Sequence, residues 1–215
     1  MSIAQLNQVA IAGIGNTEFS RNSGRSETQL AAECIKAALD DAGLRPADVD
    51  GMVTFTIDNN EDVSLIRNLG IEALSYSSRV PHGGGGSGGA LVHAAGAIVA
   101  GLADVVVVWR AMNERSEYRF GSANATPPAP GGGATSMEWS VPWGAATPAC
   151  WQSMVSQRYM VEYGIKSEDL AHISVLMRKH AANNPNAFGY EKPITVEDHQ
   201  SSRWIIEPIL RLLDC

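Results

Sequence analysis

The stretch "HGGGGSGGALVHAAGAIVAG", residues 82–101, places six glycines among its first eight residues and then runs on in Ala, Val, Leu and Ile. Each glycine costs about 0.5–1 kcal/mol of backbone order relative to alanine, so a cluster of this density calls for a cause. Two causes are ordinary: a positive φ, or a ligand that must reach the backbone. The residues that follow, about Ser87–Ala100, are mostly small and uncharged, which reads as a helix buried and approached closely from all sides. Upstream, Ser75–Val80 reads as a brief strand. Downstream, "DVVVVW" (Asp104–Trp109) is the strongest strand signal in the chain, of the kind covered on both faces.

Outward from that centre the same alternation continues. Gln8–Ile14 reads as a buried strand, and Gly13-Ile14-Gly15 as its tight exit. Ser26 with Gln29 gives a capping-box pattern, and Leu30, Cys34, Ile35, Ala38 and Leu39 line one face of the helix that follows, up to Gly43. Val49–Ile57 alternates like a second strand, and Asn60–Leu69 reads as a short helix stopped by Gly70. Strand, helix, strand, helix, strand is α/β grammar, so residues 1–113 are expected to form a mostly parallel, layered sheet. From 114 to 205 the character changes. Gly121–Ser136 is a Pro/Gly-rich loop. Helices are then expected from Thr147-Pro148 to Gly164, from Ser167 to just before Asn184-Pro185, and from Thr195 onward. The final "IIEPILRLLDC" is apolar almost to its last residue, unlike an ordinary loose terminus. Residues 206–215 are therefore expected to lead into a second half, the chain being a fragment.

Bulk properties exclude several function classes. The chain has 215 residues, 45% hydrophobic and 18% charged, with a net charge of −7. That acidity argues against nucleic-acid binding. No run approaches a membrane span and Met1–Gln8 lacks signal-peptide features, so a cytoplasmic location is expected. Cys34, Cys150 and Cys215 are too scattered for a disulfide framework or a metal site.

The candidate sites follow from the glycines. Gly13 and Gly15 do not make a dinucleotide fingerprint, because position 18 is Glu18 and the helix starts only at Ser26. Gly83, Gly84, Gly85 and Gly86, with Ser87, lie between a strand end and a helix N-terminus, where backbone N–H groups and the helix dipole converge. That geometry suits a phosphate, or an oxyanion developing on a thioester; no Gly-Lys-Ser/Thr follows, so a Walker loop is excluded. His82 stands at the mouth of the cluster. His93 reads as a core histidine, and His172, His180 and His199 as solvated. Trp139, Trp143 and Trp151, with Met137 and Met154, either line an apolar pocket or form the core of the helical region. Trp143 and Met154 are the substrate-contact candidates among them.

In this order the pieces resemble the N-terminal half of a thiolase-fold protein, closest to sterol-carrier-protein-type thiolases and lipid-transfer-protein-like steroid side-chain aldolases. The matching stretches are "VAIAGIGNTEF", "AALDDAGLRPADVDGM", the glycine cluster with "AGAIVAGLADVVVVW", "RYMVEYGIKSEDLA", "NNPNA" and "ITVEDHQSSRWIIEP". The resemblance implies a layered α-β-α half with a helical loop-domain excursion. It places the family's nucleophilic cysteine at Gly84, counted back from Ile98 and Gly101, yet the segment contains no cysteine. Without a thiolate there is no acyl-enzyme. The backbone donors alone can still hold a thioester enolate, so the resemblance implies retro-aldol cleavage of a β-hydroxyacyl-CoA. Gly84 and His82 are its catalytic candidates here, with the main base in a second half. A homodimer, a small OB-fold partner of the DUF35 type and no cofactor beyond the CoA of the substrate complete the expectation. A non-catalytic acyl-CoA- or sterol-binding protein is the alternative.

Overall fold

The computed structural model describes residues 7–55, 58, 60–80, 85–113, 139–145 and 147–214. His82, Gly83, Gly84, Met137, Cys215 and the loop Gly121–Ser136 lie outside them. The described residues up to 113 belong to one compact unit and those from 139 to a second.

In the first unit α1 (Glu27–Ala42) begins where expected: the Ser26 hydroxyl accepts from the Gln29 N–H at 3.2 Å. The Gln29 side chain turns forward to Glu33 at 2.9 Å, so only half of the capping box forms. Gly43 ends the helix at φ 69°, a conformation that costs a side chain but not glycine. Leu30, Ile35 and Leu39 point inward from α1. After a 3-10 turn (Pro46–Asp48) come β1 (Gly51–Phe55), α2 (Asp62–Leu69), β2 (Tyr76–Val80), α3 (Gly86–Val99) and β3 (Val106–Trp109).

The three strands are parallel, in the order β2-β1-β3, with Gly51 of β1 level with Tyr76 and Val106. Successive β1 residues face opposite ways, as the pleat requires. Met52 packs with Leu30, Ile35 and Leu65 of α1 and α2, and Val53 with Ala90 and Ala94 of α3. The sheet is thus the middle of three layers, an α/β/α arrangement with α1 and α2 on one face and α3 on the other. Right-handed crossovers between parallel strands favour this layering.

Three expectations change. Among the described residues the valine run is an edge strand, Val106–Val108 being only half-buried, while the less apolar "GMVTF" takes the centre with its first four residues buried. Apolarity reports burial, and here pairing decided position. Gln8–Ile14 is no strand: Ile11 and Ile14 are 74% and 76% exposed, and no strand among the described residues lies alongside to pair with it. It runs over α1 instead, with the Ile14 N–H bonded to Asp41 Oδ2 at 2.9 Å. Gly13 and Gly15 therefore serve close helix contact, not a strand exit: a Cβ at either would collide with a carbonyl oxygen of α1, that of Ala38 or of Cys34. Finally, α3 is buried along one line only (Gly86, Ala90, Ala94, Ala97), with Leu91 and Val92 about half exposed.

The second unit holds α4 (Pro148–Tyr163), α5 (Ser167–Ala182) and α6 (Val196–Ser201), with Gly164 ending α4 at φ 66°. Thr195 caps α6 through a reciprocal box with Asp198. An antiparallel hairpin, β4 (Trp204–Ile206) and β5 (Leu210–Arg211), follows, which the residues had not signalled.

Candidate functional site

Of the glycine cluster, Gly85, Gly86 and Ser87 are described, at the start of α3. Gly85 is the N-cap, with φ −79° and ψ −7°, so its backbone is one that any residue adopts. Among the described residues no side chain caps the helix. Its first N–H groups, on Gly86, Ser87 and Gly88, precede the first intrahelical bond, which runs from Gly89 N–H to the Gly85 carbonyl at 3.2 Å. Gly89 is explained by packing, since a Cβ there would press on Val80 Cγ1 at 3.1 Å. Gly85 and Gly88 are not: a Cβ on either would meet none of the described residues within 4 Å. These two positions are neither strained nor crowded, and they leave bare backbone on an open face at the positive end of the helix dipole.

The polar groups that order the loops beside the cluster escaped the sequence reading. Asp58, just past the carboxyl end of β1, is 6% exposed. Its Oδ2 accepts from the Ala111 N–H at 2.9 Å, and its Oδ1 from the Asn60 N–H and side-chain amide at 2.9 and 3.1 Å. Burial pushes this carboxyl above the ordinary aspartate range, and the three donors pull it partly back. Arg79, on β2, donates to the carbonyls of Asp58 and Asn60 at 2.7 and 2.8 Å and to Asp62 Oδ1 at 3.0 Å. Asn113 is likewise buried and bonded to Ser23, Arg25 and Glu27. The loops after β1 and β3 are thereby tied together, and the end of β2, which delivers the chain into the cluster, is tied to them. The sequence signal was the Asp and Asn content of residues 58–62 directly after a strand.

The histidines were misplaced in two cases. His93 is exposed on α3, its Nδ1 paired with Ser78 Oγ at 2.8 Å. His199 is fully buried, bonded through Nε2 to Asp214 Oδ1 at 2.7 Å and through Nδ1 to the Gln200 amide at 3.1 Å. It fastens α6 to the 3-10 turn Leu212–Asp214. No periodicity marks such a residue, because its two partners, Gln200 beside it and Asp214 fifteen positions on, are not set by any helical or strand repeat.

Trp143 and Met154 belong to the second unit and line one cavity of about 320 Å³ there, together with Cys150 and Ile209. Trp143 is 87% and Met154 58% exposed, so neither is core. Trp139, also exposed, is outside that lining, and Trp151 donates its indole N–H to the Ala145 carbonyl at 3.1 Å. Cys34, half-buried on α1, lines a separate cavity of about 360 Å³ in the first unit, with Asn113 and residues 15–20; burial pushes its thiol up, away from the thiolate.

Among known proteins, a model described as thiolase, N-terminal domain, matches residues 9–207. A steroid side-chain-cleaving aldolase of Thermomonospora curvata is 54% identical over 207 residues, which are 96% of this chain and 53% of the relative. A 17-hydroxy-3-oxo-4-pregnene-20-carboxyl-CoA lyase of Mycobacterium tuberculosis is 52% identical over 210 residues, 97% of this chain and 54% of that one. A solved structure described as Ltp2-ChsH2(DUF35) aldolase superposes with a TM-score of 0.85 at 52% identity, covering 96% of this chain and 51% of the other. The chain spans about half the length of the curated relatives it matches.

Proposed function

The chain belongs to the thiolase family, and from that premise we propose that it contributes the N-terminal half of a carbon–carbon lyase acting on a β-hydroxyacyl-CoA of the steroid side-chain type. The observation that carries the reading is the bare start of α3: Gly85 and Gly88 expose backbone that neither strain nor packing explains, while no cysteine stands anywhere in residues 82–101.

The chemistry follows from that pair of facts. A base removes the proton of the β-hydroxyl, the bond between the α and β carbons breaks, and a ketone leaves. The electron pair passes to the thioester oxygen as an enolate, which takes a proton at carbon to give a short acyl-CoA. Backbone N–H groups at the cluster, with the helix dipole, stabilise the enolate oxygen where its charge develops. Gly85, Gly86 and Ser87 at the start of α3 supply donors to that cradle, with Gly83 and Gly84, which precede them in sequence, as the further candidates, and glycine lets the thioester approach it. His82, next to the glycines in sequence, is the second catalytic candidate, and the principal base comes from the half of the protein beyond this chain. No thiolate is needed, and no cofactor beyond the CoA carried by the substrate. A homodimer, a DUF35-type partner and a cytoplasmic setting belong to the same proposal; the Ltp2-ChsH2(DUF35) assembly supports the partner, and no helix of the described residues is long and apolar enough to cross a membrane.

The test is to supply a β-hydroxyacyl-CoA to the full-length protein, with and without the partner. Release of a ketone and a short acyl-CoA in equal amounts is expected. Tight binding of the thioester without cleavage under both conditions would establish a binding protein instead.

A further inference from the structure

Four glycines follow one another from Gly83 to Gly86, so this segment offers no side chain by which packing can hold it. Its placement is set at its two ends, α3 on one side and β2 on the other. The α3 end is held by packing, with Ala90 and Ala94 closed on Val53 and Val80 of the sheet. The β2 end has less support. β2 pairs with β1 on one side and with no strand among the described residues on the other, and the ladder stops at Phe55 and Val80.

Arg79, next to that last rung, supplies a second tie. Its Nη1 donates to the Asp58 carbonyl at 2.7 Å, and its Nη2 to the Asn60 carbonyl at 2.8 Å and to Asp62 Oδ1 at 3.0 Å. A planar guanidinium suits this task, since its fork holds several oxygens at fixed angles. The loop that offers the two carbonyls is itself fixed. Asp58 Oδ2 accepts from the Ala111 N–H beyond β3 at 2.9 Å, and the Thr28 hydroxyl of α1 donates to Asn60 Oδ1 at 2.8 Å. One network therefore joins the carboxyl ends of all three parallel strands, the edge at which open α/β sheets bind ligands and at which α3 begins. Stability alone does not ask for the arginine. Its side chain is 43% exposed, so water can replace it at both carbonyls, and a half-exposed ion pair adds little.

We propose that Arg79 is a positioning residue for the carbon–carbon cleavage: by clamping the end of β2 to the loop after β1, it fixes where the glycine segment presents its N–H groups to the thioester oxygen. The inference rests on the lyase reading, in which those donors act on charge that develops only during cleavage. Arg79 acts through the backbone it holds, so its loss lowers kcat and leaves KM nearly unchanged.

The experiment measures kcat and KM of the full-length protein on a β-hydroxyacyl-CoA, with the partner present, and follows folding by urea midpoint. Arg79→Met is expected to keep a urea midpoint near wild type, to lose about 10- to 100-fold in kcat per folded protein and to change KM by less than about 3-fold. Arg79→Lys keeps the charge, but an ammonium is a point donor that does not span all three oxygens, so a loss of about 3- to 10-fold should remain. Arg67→Met removes the same charge from an exposed position on α2 and should keep the wild-type kcat. Should Arg79→Met fail to fold, Arg79→Lys decides alone. A wild-type kcat in Arg79→Lys overturns the proposal. So does a loss in Arg79→Met that lies wholly in KM or merely follows the folded fraction; either result leaves the lyase reading standing. A full-length wild type that cleaves nothing defeats the lyase reading, and this proposal with it.

Discussion

At Gly13 a methyl group would collide with the Ala38 carbonyl, whereas at Gly85 it would meet open space. The two positions therefore separate packing from chemistry. Gly13→Ala should lower stability by about 1–3 kcal/mol, since helix and backbone are already in contact there. Denaturant unfolding would read the loss. Gly85→Ala should change stability by less than about 1 kcal/mol, because its dihedrals suit alanine. Under the proposed lyase reading the same change in the full-length protein should cut turnover at least tenfold, by holding the thioester away from the donors; turnover at the wild-type level would make the open glycines incidental. Sequence alone raised the question of these glycines but left their causes mixed. It could not separate Gly89, which packs on Val80, from Gly85 and Gly88, which pack on nothing.

At the scale of elements, the capped helices were the most legible. Ser26, Gly43, Gly70 and Gly164 act through bonds and dihedrals within a few residues, so their signals are local, while Thr147 takes the N-cap position of α4 without a side-chain cap bond. Ser26→Ala should accordingly cost about 1 kcal/mol in a thermal or urea melt. The edge position of β3 and the unpaired state of Gln8–Ile14 were illegible, because pairing depends on strands distant in sequence. The network around Asp58 was hidden for the same reason: its donor at Ala111 is 53 residues away. That network carries a pH signature. Burial raises the folded-state pKa of Asp58 above its unfolded value of about 3.9, so the protonated form is the one folding favours. The contribution of this carboxyl is therefore most favourable at low pH and is lost as pH rises through that raised value. Asp58→Asn, which cannot lose it, should be more destabilised relative to wild type at pH 4 than at pH 7. A constant difference in urea midpoint across that range would show that the shift is absent.

For the whole molecule, the layered sheet and the family were legible because every matching stretch falls in order along the chain. Assembly is a separate matter. Ile11, Ile14, Leu91, Val92 and Leu102 are each about half or more exposed on the first unit, and apolar side chains left in water favour association. The 215-residue chain alone should not sediment as a well-folded monomer at micromolar concentration, and a sharp monomer boundary would contradict this. The central claim, carbon–carbon cleavage without an acyl-enzyme, is tested most directly by intact-mass spectrometry of the full-length protein quenched during reaction with 17-hydroxy-3-oxo-4-pregnene-20-carboxyl-CoA. The account predicts an unmodified protein mass while ketone and propionyl-CoA accumulate in equal amounts. A protein mass increased by an acyl group, formed and lost in step with turnover, would contradict it.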